Sequence, residues 1–68
     1  MTGPELREAR RYLLLRQYRL AELLDVDPRS VSRWEKSDKP IPRHVELIIN
    51  MLTFVPAARR YIGLEERD

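Results

Sequence analysis

The chain has 68 residues, 35% of them charged, with no cysteine and one histidine, so we expect one small domain over residues 1–68 and neither a disulfide nor a zinc site. No apolar run approaches the ~20 residues that cross a membrane, so we expect no membrane partner. The lack of cysteine suits a reducing cytoplasm, and we expect no cofactor. Residues 1–45 hold ten bases and seven acids, a charge of +3, whereas residues 46–68 hold three bases and four acids, a charge of −1. An excess of bases in one part of a chain is compatible with a nucleic-acid partner.

Apolar residues recur at helical spacing along nearly the whole chain, which predicts an all-α fold of five helices without a strand. Asp27 before Pro28 is a typical helix start, because Asp caps well and the fixed φ of proline suits the first helical position. A cap at Thr2 or Gly3 and a left-handed Gly63 at the end of the last helix are further boundary signals. We expect helices over residues 4–13, 17–24, 28–36, 42–53 and 56–63.

The segment 17–36, QYRLAELLDVDPRSVSRWEK, has the pattern of a helix-turn-helix, in which two short helices are joined by about three residues. Ala21 is small enough to let the second helix approach the first. Asp25 lies at the turn, where a positive φ is often needed, and Asp tolerates that conformation better than most residues. The apolar side chains expected between the two helices are Leu20, Leu24, Val26, Val31 and Trp34.

Together with this motif, the segments LREAR (6–10) and PIP (40–42) resemble the Xre/Cro family of phage and bacterial repressors over about residues 4–55. The resemblance implies a five-helix lambda-repressor-like domain whose third helix enters the major groove of double-stranded DNA and which binds its operator as a dimer. Three residues depart from the family pattern: Leu14 and Asp25 replace glycines, and Arg16 replaces a Ser or Thr cap. Because arginine does not cap a helix as serine does, we expect the start of the second helix to be less stable by ~1 kcal/mol.

The predicted third helix has an outward polar face, because spacings of three and four bring together Arg29, Ser32, Arg33 and Lys36. Arginine can hold guanine O6 and N7 with two hydrogen bonds, which favours base reading by this face over an ordinary solvated surface. By this helical phase and by the family resemblance, the residues expected to contact bases are Pro28, Arg29, Ser30, Ser32 and Arg33. Those expected to hold phosphates are Gln17, Arg16, Arg19, Lys36, Lys39 and Arg43.

Arg10 lies on the apolar stripe of the first helix, beside Leu6 and Leu13, and a charge in that position needs a partner. Glu35 is the best candidate for that partner. The family resemblance implies the same pair, bridging the first helix and the end of the third. We therefore expect a structural ion pair between Arg10 and Glu35.

The predicted fourth helix is apolar on two sides, which usually means that it has two neighbours. One side faces the core, and the other carries a second stripe formed by Leu47, Met51 and Phe54. Either the fifth helix covers this stripe or a second copy of the chain does. The second alternative makes Leu47, Met51, Phe54 and Ala58 the expected homodimer interface.

These features predict a sequence-specific transcriptional repressor that binds a palindromic, inverted-repeat operator as a homodimer. Its size and plan resemble those of small regulators encoded beside anti-CRISPR genes, which implies autoregulation of a phage or mobile-element operon at the nucleoid of a bacterial host, with no small-molecule ligand. The alternative is an antitoxin-like protein-interaction module that also binds DNA. We do not expect an enzyme, because the acid pairs Glu65–Glu66 and Asp25/Asp27 have no predicted pocket.

Overall fold

The fold is all-α, as the apolar spacing predicts. The computed structural model describes residues 1–63, and within these residues there are five helices and no strand. The acid pair Glu65–Glu66 lies outside the described residues. The helices are α1 Gly3–Tyr12, α2 Gln17–Leu24, α3 Pro28–Glu35, α4 Arg43–Phe54 and α5 Pro56–Tyr61.

The helix ends agree with the predicted ones to within two residues. Pro42 was expected to be the first residue of the fourth helix, but it precedes α4, which begins at Arg43. The fifth helix ends at Tyr61, two residues before its expected end at Gly63. The longest helix, α4, has 12 residues, and no helix within residues 1–63 is both long and apolar enough to cross a membrane.

Two non-glycine residues of the described chain have a left-handed backbone, and both stand where the sequence departs from an expected glycine. Asp25 ends α2 with φ 58°, and Leu14 lies between α1 and α2 with φ 60°. Leucine adopts this conformation at a cost of ~1–2 kcal/mol, which Asp partly avoids by local hydrogen bonding. Arg16 precedes α2 without a side-chain cap hydrogen bond, as expected, and Gly63 has the expected positive φ of 85°.

The hydrophobic core lies where α1, α2, α3 and α4 meet. The largest fully buried side chains are Leu6, Leu20, Val31, Val45 and Ile49. Trp34 is only partly buried and packs against this core from α3. Because α3 packs against both α1 and α2, two neighbours fix its position and its remaining side faces outward.

Gly3 marks the close approach of α1 to the end of α3. A Cβ atom at Gly3 would lie 2.1 Å from the carbonyl oxygen of Trp34 and 2.6 Å from that of Ser37. Both are backbone atoms, so no side-chain movement relieves the contact. The cap of α1 is Thr2, whose backbone N–H donates to the Glu5 carboxylate at 2.8 Å. Gly3 is therefore needed for helix packing rather than for capping.

Gly3→Ala should lower the free energy of unfolding by ~1–3 kcal/mol or more, because the added methyl group overpacks a rigid backbone contact. The measurement is urea denaturation at 25 °C. Gly63→Ala is the control: nothing lies within 4 Å of its Cβ position, so its cost should be limited to ~1–2 kcal/mol of left-handed backbone strain. Equal stability of Gly3→Ala and the wild type would contradict this packing.

Candidate nucleic-acid interface

The start of α3 is defined by a side-chain cap. Asp27 Oδ1 accepts a hydrogen bond from the backbone N–H of Arg29 at 2.8 Å, and Pro28 takes the first helical position. Asp27 satisfies one of the helix N–H groups that have no partner within the helix, and Pro28 has no backbone N–H that would need one. From there the helix buries Val31 and Glu35 against α1 and α2.

The opposite side of α3 is a polar surface, here called the α3 face. Its residues are Pro28, Arg29, Ser30, Ser32, Arg33 and Lys36. The two arginines and the lysine are exposed, and the two serines lie half-buried at the edges. Arg33 Nη2 donates to Ser30 Oγ at 3.4 Å, a long hydrogen bond that leaves the arginine otherwise open to solvent. Of the five residues predicted to contact bases, Arg29, Ser32 and Arg33 lie on one side of α3, and Pro28 and Ser30 lie at the two borders of that side.

Arg29 forms an ion pair with Asp27 across the first turn of α3. Arg29 Nε donates to Asp27 Oδ1 at 3.2 Å and Nη2 donates to Oδ2 at 3.1 Å. Hydrogen bonds from the Arg29 side chain, and then from its backbone N–H, lower the pKa of Asp27, and the same carboxylate raises the pKa of Arg29. The arginine side chain is still 87% exposed, so it remains on the surface with one edge occupied.

The start of α2 lies beside the start of α3. Arg10, Arg16, Gln17, Tyr18 and Pro28 line an open cleft of about 460 Å³ between these elements. Gln17 donates its Nε2 to Glu35 Oε1 at 3.0 Å, so one of its two amide N–H bonds is already used within the protein. The spacing of residues along the sequence did not predict the hydrogen bond between Gln17 and Glu35.

The remaining residues predicted to hold phosphates lie on the protein surface. Arg19 pairs with Glu22 one turn along α2 at 3.1 Å. Arg16, Lys36, Lys39 and Arg43 are exposed, and none of them forms an ion pair with another residue of the stretch 1–63. Exposed arginine and lysine without an internal partner are available to an anionic ligand.

Behind the α3 face, Arg10 and Glu35 form the expected ion pair. Arg10 Nε donates to Glu35 Oε2 at 2.6 Å, and Nη2 donates to Oε1 at 3.0 Å. Arg10 Nη1 also donates to the Leu15 carbonyl oxygen at 2.8 Å. The two side chains are 13% and 4% exposed, so the pair is shielded from water. It joins α1, the α1–α2 connection and the end of α3.

Burial by itself raises the pKa of Glu35, but hydrogen bonds from Arg10 and Gln17 outweigh burial and hold the pKa below its ordinary value of 4.5. Glu35 is therefore ionised at neutral pH. A carboxyl group with a lowered pKa stabilises the folded state above its ordinary pKa, and that contribution is lost as the pH falls through the lowered value. Within residues 1–63 no cluster of three metal-ligating side chains is found.

A second surface of the chain is apolar. Leu47, Met51 and Phe54, the second stripe of α4, are 49%, 55% and 75% exposed. The alternative that α5 covers this stripe is wrong, because all three side chains stay exposed and only Met51 lines the groove that α4 forms with α5, beside Ile48 and Leu52. An apolar groove of about 420 Å³ remains between the two helices, with Ala58 half-buried in its wall.

Removing one member of the Arg10–Glu35 pair leaves a buried charge without a partner, so Arg10→Met and Glu35→Leu should each cost ~3–5 kcal/mol of stability. The double variant should cost clearly less than the sum. A double-mutant cycle from urea denaturation measures the coupling energy, with the exposed Arg19–Glu22 pair as control, where coupling should not exceed ~1 kcal/mol.

The coupling energy should also depend on pH. It should be largest near neutral pH and should decrease as Glu35 becomes protonated, at pH values below the ordinary glutamate pKa of 4.5. Equal coupling in the buried pair and in the exposed control at pH 7 would contradict the structural role of Arg10 and Glu35.

None of the protein-family models, curated proteins or solved structures with which the chain was compared matches it. The function must therefore be argued from the site, that is, from the geometry and charge of named residues.

Proposed function

We propose that this chain is a sequence-specific DNA-binding repressor that binds an inverted-repeat operator as a homodimer. The observation that carries the proposal is the α3 face, where two exposed arginines project from a helix whose other side is packed in the core. An α-helix fits the major groove, and the arginine fork matches the O6 and N7 acceptors of guanine. The order of five helices, with residues 17–36 as a helix-turn-helix, supports a lambda-repressor-like domain of the Xre/Cro type.

In this proposal, bases and phosphates are contacted by different residues. Arg29 and Arg33 read base edges, and Pro28, Ser30 and Ser32 make short contacts beside them. The residues that hold phosphates are Arg16, Gln17, Arg19, Lys36, Lys39 and Arg43. Gln17 uses its second amide N–H, and Arg19 exchanges Glu22 for a phosphate. Phosphate contacts fix the position of the protein on the duplex, and base contacts supply the sequence preference.

The homodimer in this proposal forms through α4 and α5. Leu47, Met51 and Phe54 leave apolar surface exposed, and such a surface commonly marks an interaction site. Ala58 adds a small residue at the groove next to it. A two-fold dimer doubles the DNA contacts of a small domain and makes the operator palindromic, with half-sites about one helical turn apart.

The first experiment is a gel shift with the DNA that flanks the chain's own gene, because we further propose autoregulation of a phage or mobile-element operon, an anti-CRISPR operon included. Specific retardation, which an unrelated duplex does not compete away, would support a repressor. Failure to bind any duplex, with co-purification of an unrelated small protein, would instead favour the antitoxin-like module, for which the open α4–α5 groove is the supporting observation.

Base reading by α3 predicts that Arg29→Ala or Arg33→Ala reduces the preference for guanine at individual operator positions by ~1–3 kcal/mol. Lys39→Ala should instead weaken binding to all sequences alike and reduce the slope of log affinity against log salt by about one. The measurement is a set of affinities for operators changed one base pair at a time, at several salt concentrations.

Arg60→Ala removes the same charge outside the residues proposed to contact DNA and should leave the base preference at individual operator positions unchanged. Unchanged base preference in both the Arg29 and the Arg33 variants would reject α3 as the helix that reads the sequence.

Dimer formation through the second stripe of α4 predicts that Met51→Glu weakens cooperative binding to the full palindrome, because each two-fold interface would bury two carboxylates. The monomer should stay folded, since Met51 is already half exposed. Tyr12→Glu, at an exposed aromatic residue on α1, is the control. If Met51→Glu sediments and binds like the wild type, the interface lies elsewhere.

A further inference from the structure

We propose that Asp27 determines base specificity by holding one edge of the Arg29 guanidinium, so that Arg29 presents only its opposite edge and recognises guanine. This inference rests on the proposed DNA-binding function. Asp27 does not contact the base in this account; it positions Arg29.

The hydrogen bonds define which edge of Arg29 is free. A guanidinium has five N–H bonds in one plane. The carboxylate of Asp27 accepts from Nε and from one N–H of Nη2, which occupies the side edge of the group. The two N–H bonds of Nη1 and the second of Nη2 remain, and one N–H from each of these nitrogens forms the end edge, which points away from Asp27.

The end edge suits guanine. It offers two parallel donors, one from Nη1 and one from Nη2, and guanine is the base that presents two adjacent acceptors, O6 and N7, in the major groove. An arginine without a partner can use either edge and can also turn to a phosphate. With its side edge occupied, Arg29 approaches the DNA in one orientation and loses less conformational freedom when it binds.

The position of the Asp27 carboxylate is itself fixed by the backbone. Its Oδ1 caps α3 by accepting the Arg29 N–H at 2.8 Å, and the Pro28 ring restricts the backbone between the two residues. An ordinary surface ion pair connects two mobile side chains and constrains neither of them. Here one partner is held by the helix cap, so it can act as a fixed support for the other.

The negative charge of Asp27 has a second effect, on phosphate binding. A phosphate group that approaches the side edge of Arg29 must displace a carboxylate that already makes two hydrogen bonds with it, and one that approaches the end edge meets the nearby negative charge of Asp27. Asp27 therefore lowers the contribution of Arg29 to binding of arbitrary sequences, while the end edge stays available for guanine. A larger ratio of specific to non-specific affinity results, without any additional base contact.

Asp27→Asn tests the inference, because asparagine caps a helix as well as aspartate but lacks the charge and the second acceptor oxygen. Discrimination in favour of guanine at the position read by Arg29 should fall about three- to tenfold, part of what a good bidentate contact supplies. Affinity for a random duplex should rise, and the slope of log affinity against log salt should steepen by up to ~0.9. Asp27→Ser, in which serine also caps the helix well, should show the same changes as Asp27→Asn.

Glu22→Gln is the matched control, because it also removes a carboxylate from an exposed ion pair, in this case the pair that Glu22 forms with Arg19. It should raise non-specific affinity but leave the preference for guanine unchanged. The loss of discrimination in Asp27→Asn should disappear in an Arg29→Ala background, where there is no guanidinium to position.

Two results would overturn the inference while leaving the proposed function intact: unchanged guanine discrimination in both Asp27 variants, or the same loss of discrimination with Arg29 already removed. A wild-type protein that shows no base preference at all would overturn the proposed function, and this inference with it.

Discussion

The ion pair between Arg10 and Glu35 is the interaction on which the rest of the structure depends. Arg10 reaches from α1 to the Leu15 carbonyl group and to the carboxylate of Glu35, and Glu35 also accepts a hydrogen bond from Gln17 at the start of α2. One buried carboxylate thus joins three helices. In a chain this short the apolar core is small, so a fully satisfied polar network has a large influence on how the helices pack.

Because α3 has only eight residues, the contacts on its buried side also fix the orientation of its exposed side. Glu35 and Val31 fix its inner side, and Gly3 lets α1 approach the end of α3 closely. Any change in its tilt would move Arg29 and Arg33 relative to the rest of the domain. Side chains that must match successive base pairs require such a rigid support, which connects the internal ion pair to the function that we propose.

Much of the fold could be predicted from the sequence, because apolar periodicity and prolines define short helices well. The Arg10–Glu35 pair could be predicted because a charge on an apolar stripe needs a partner. The contact of Gln17 with Glu35 and that of Arg29 with Asp27 could not, since helical phase specifies where a side chain starts but not which rotamer it adopts. Gly3 looked like a cap because its contacts with Trp34 and Ser37 are tertiary and leave no local pattern.

The most direct test of the central claim is an NMR titration of the protein with an operator duplex selected from random sequences. If α3 reads the DNA, the largest chemical-shift changes should fall on the amide and side-chain signals of residues 27–36, with smaller changes at residues 16–19 and 39–43. A duplex of scrambled sequence should reduce the changes on α3 more than those elsewhere. Changes that concentrate on α4 and α5, with α3 unaffected, would contradict the account.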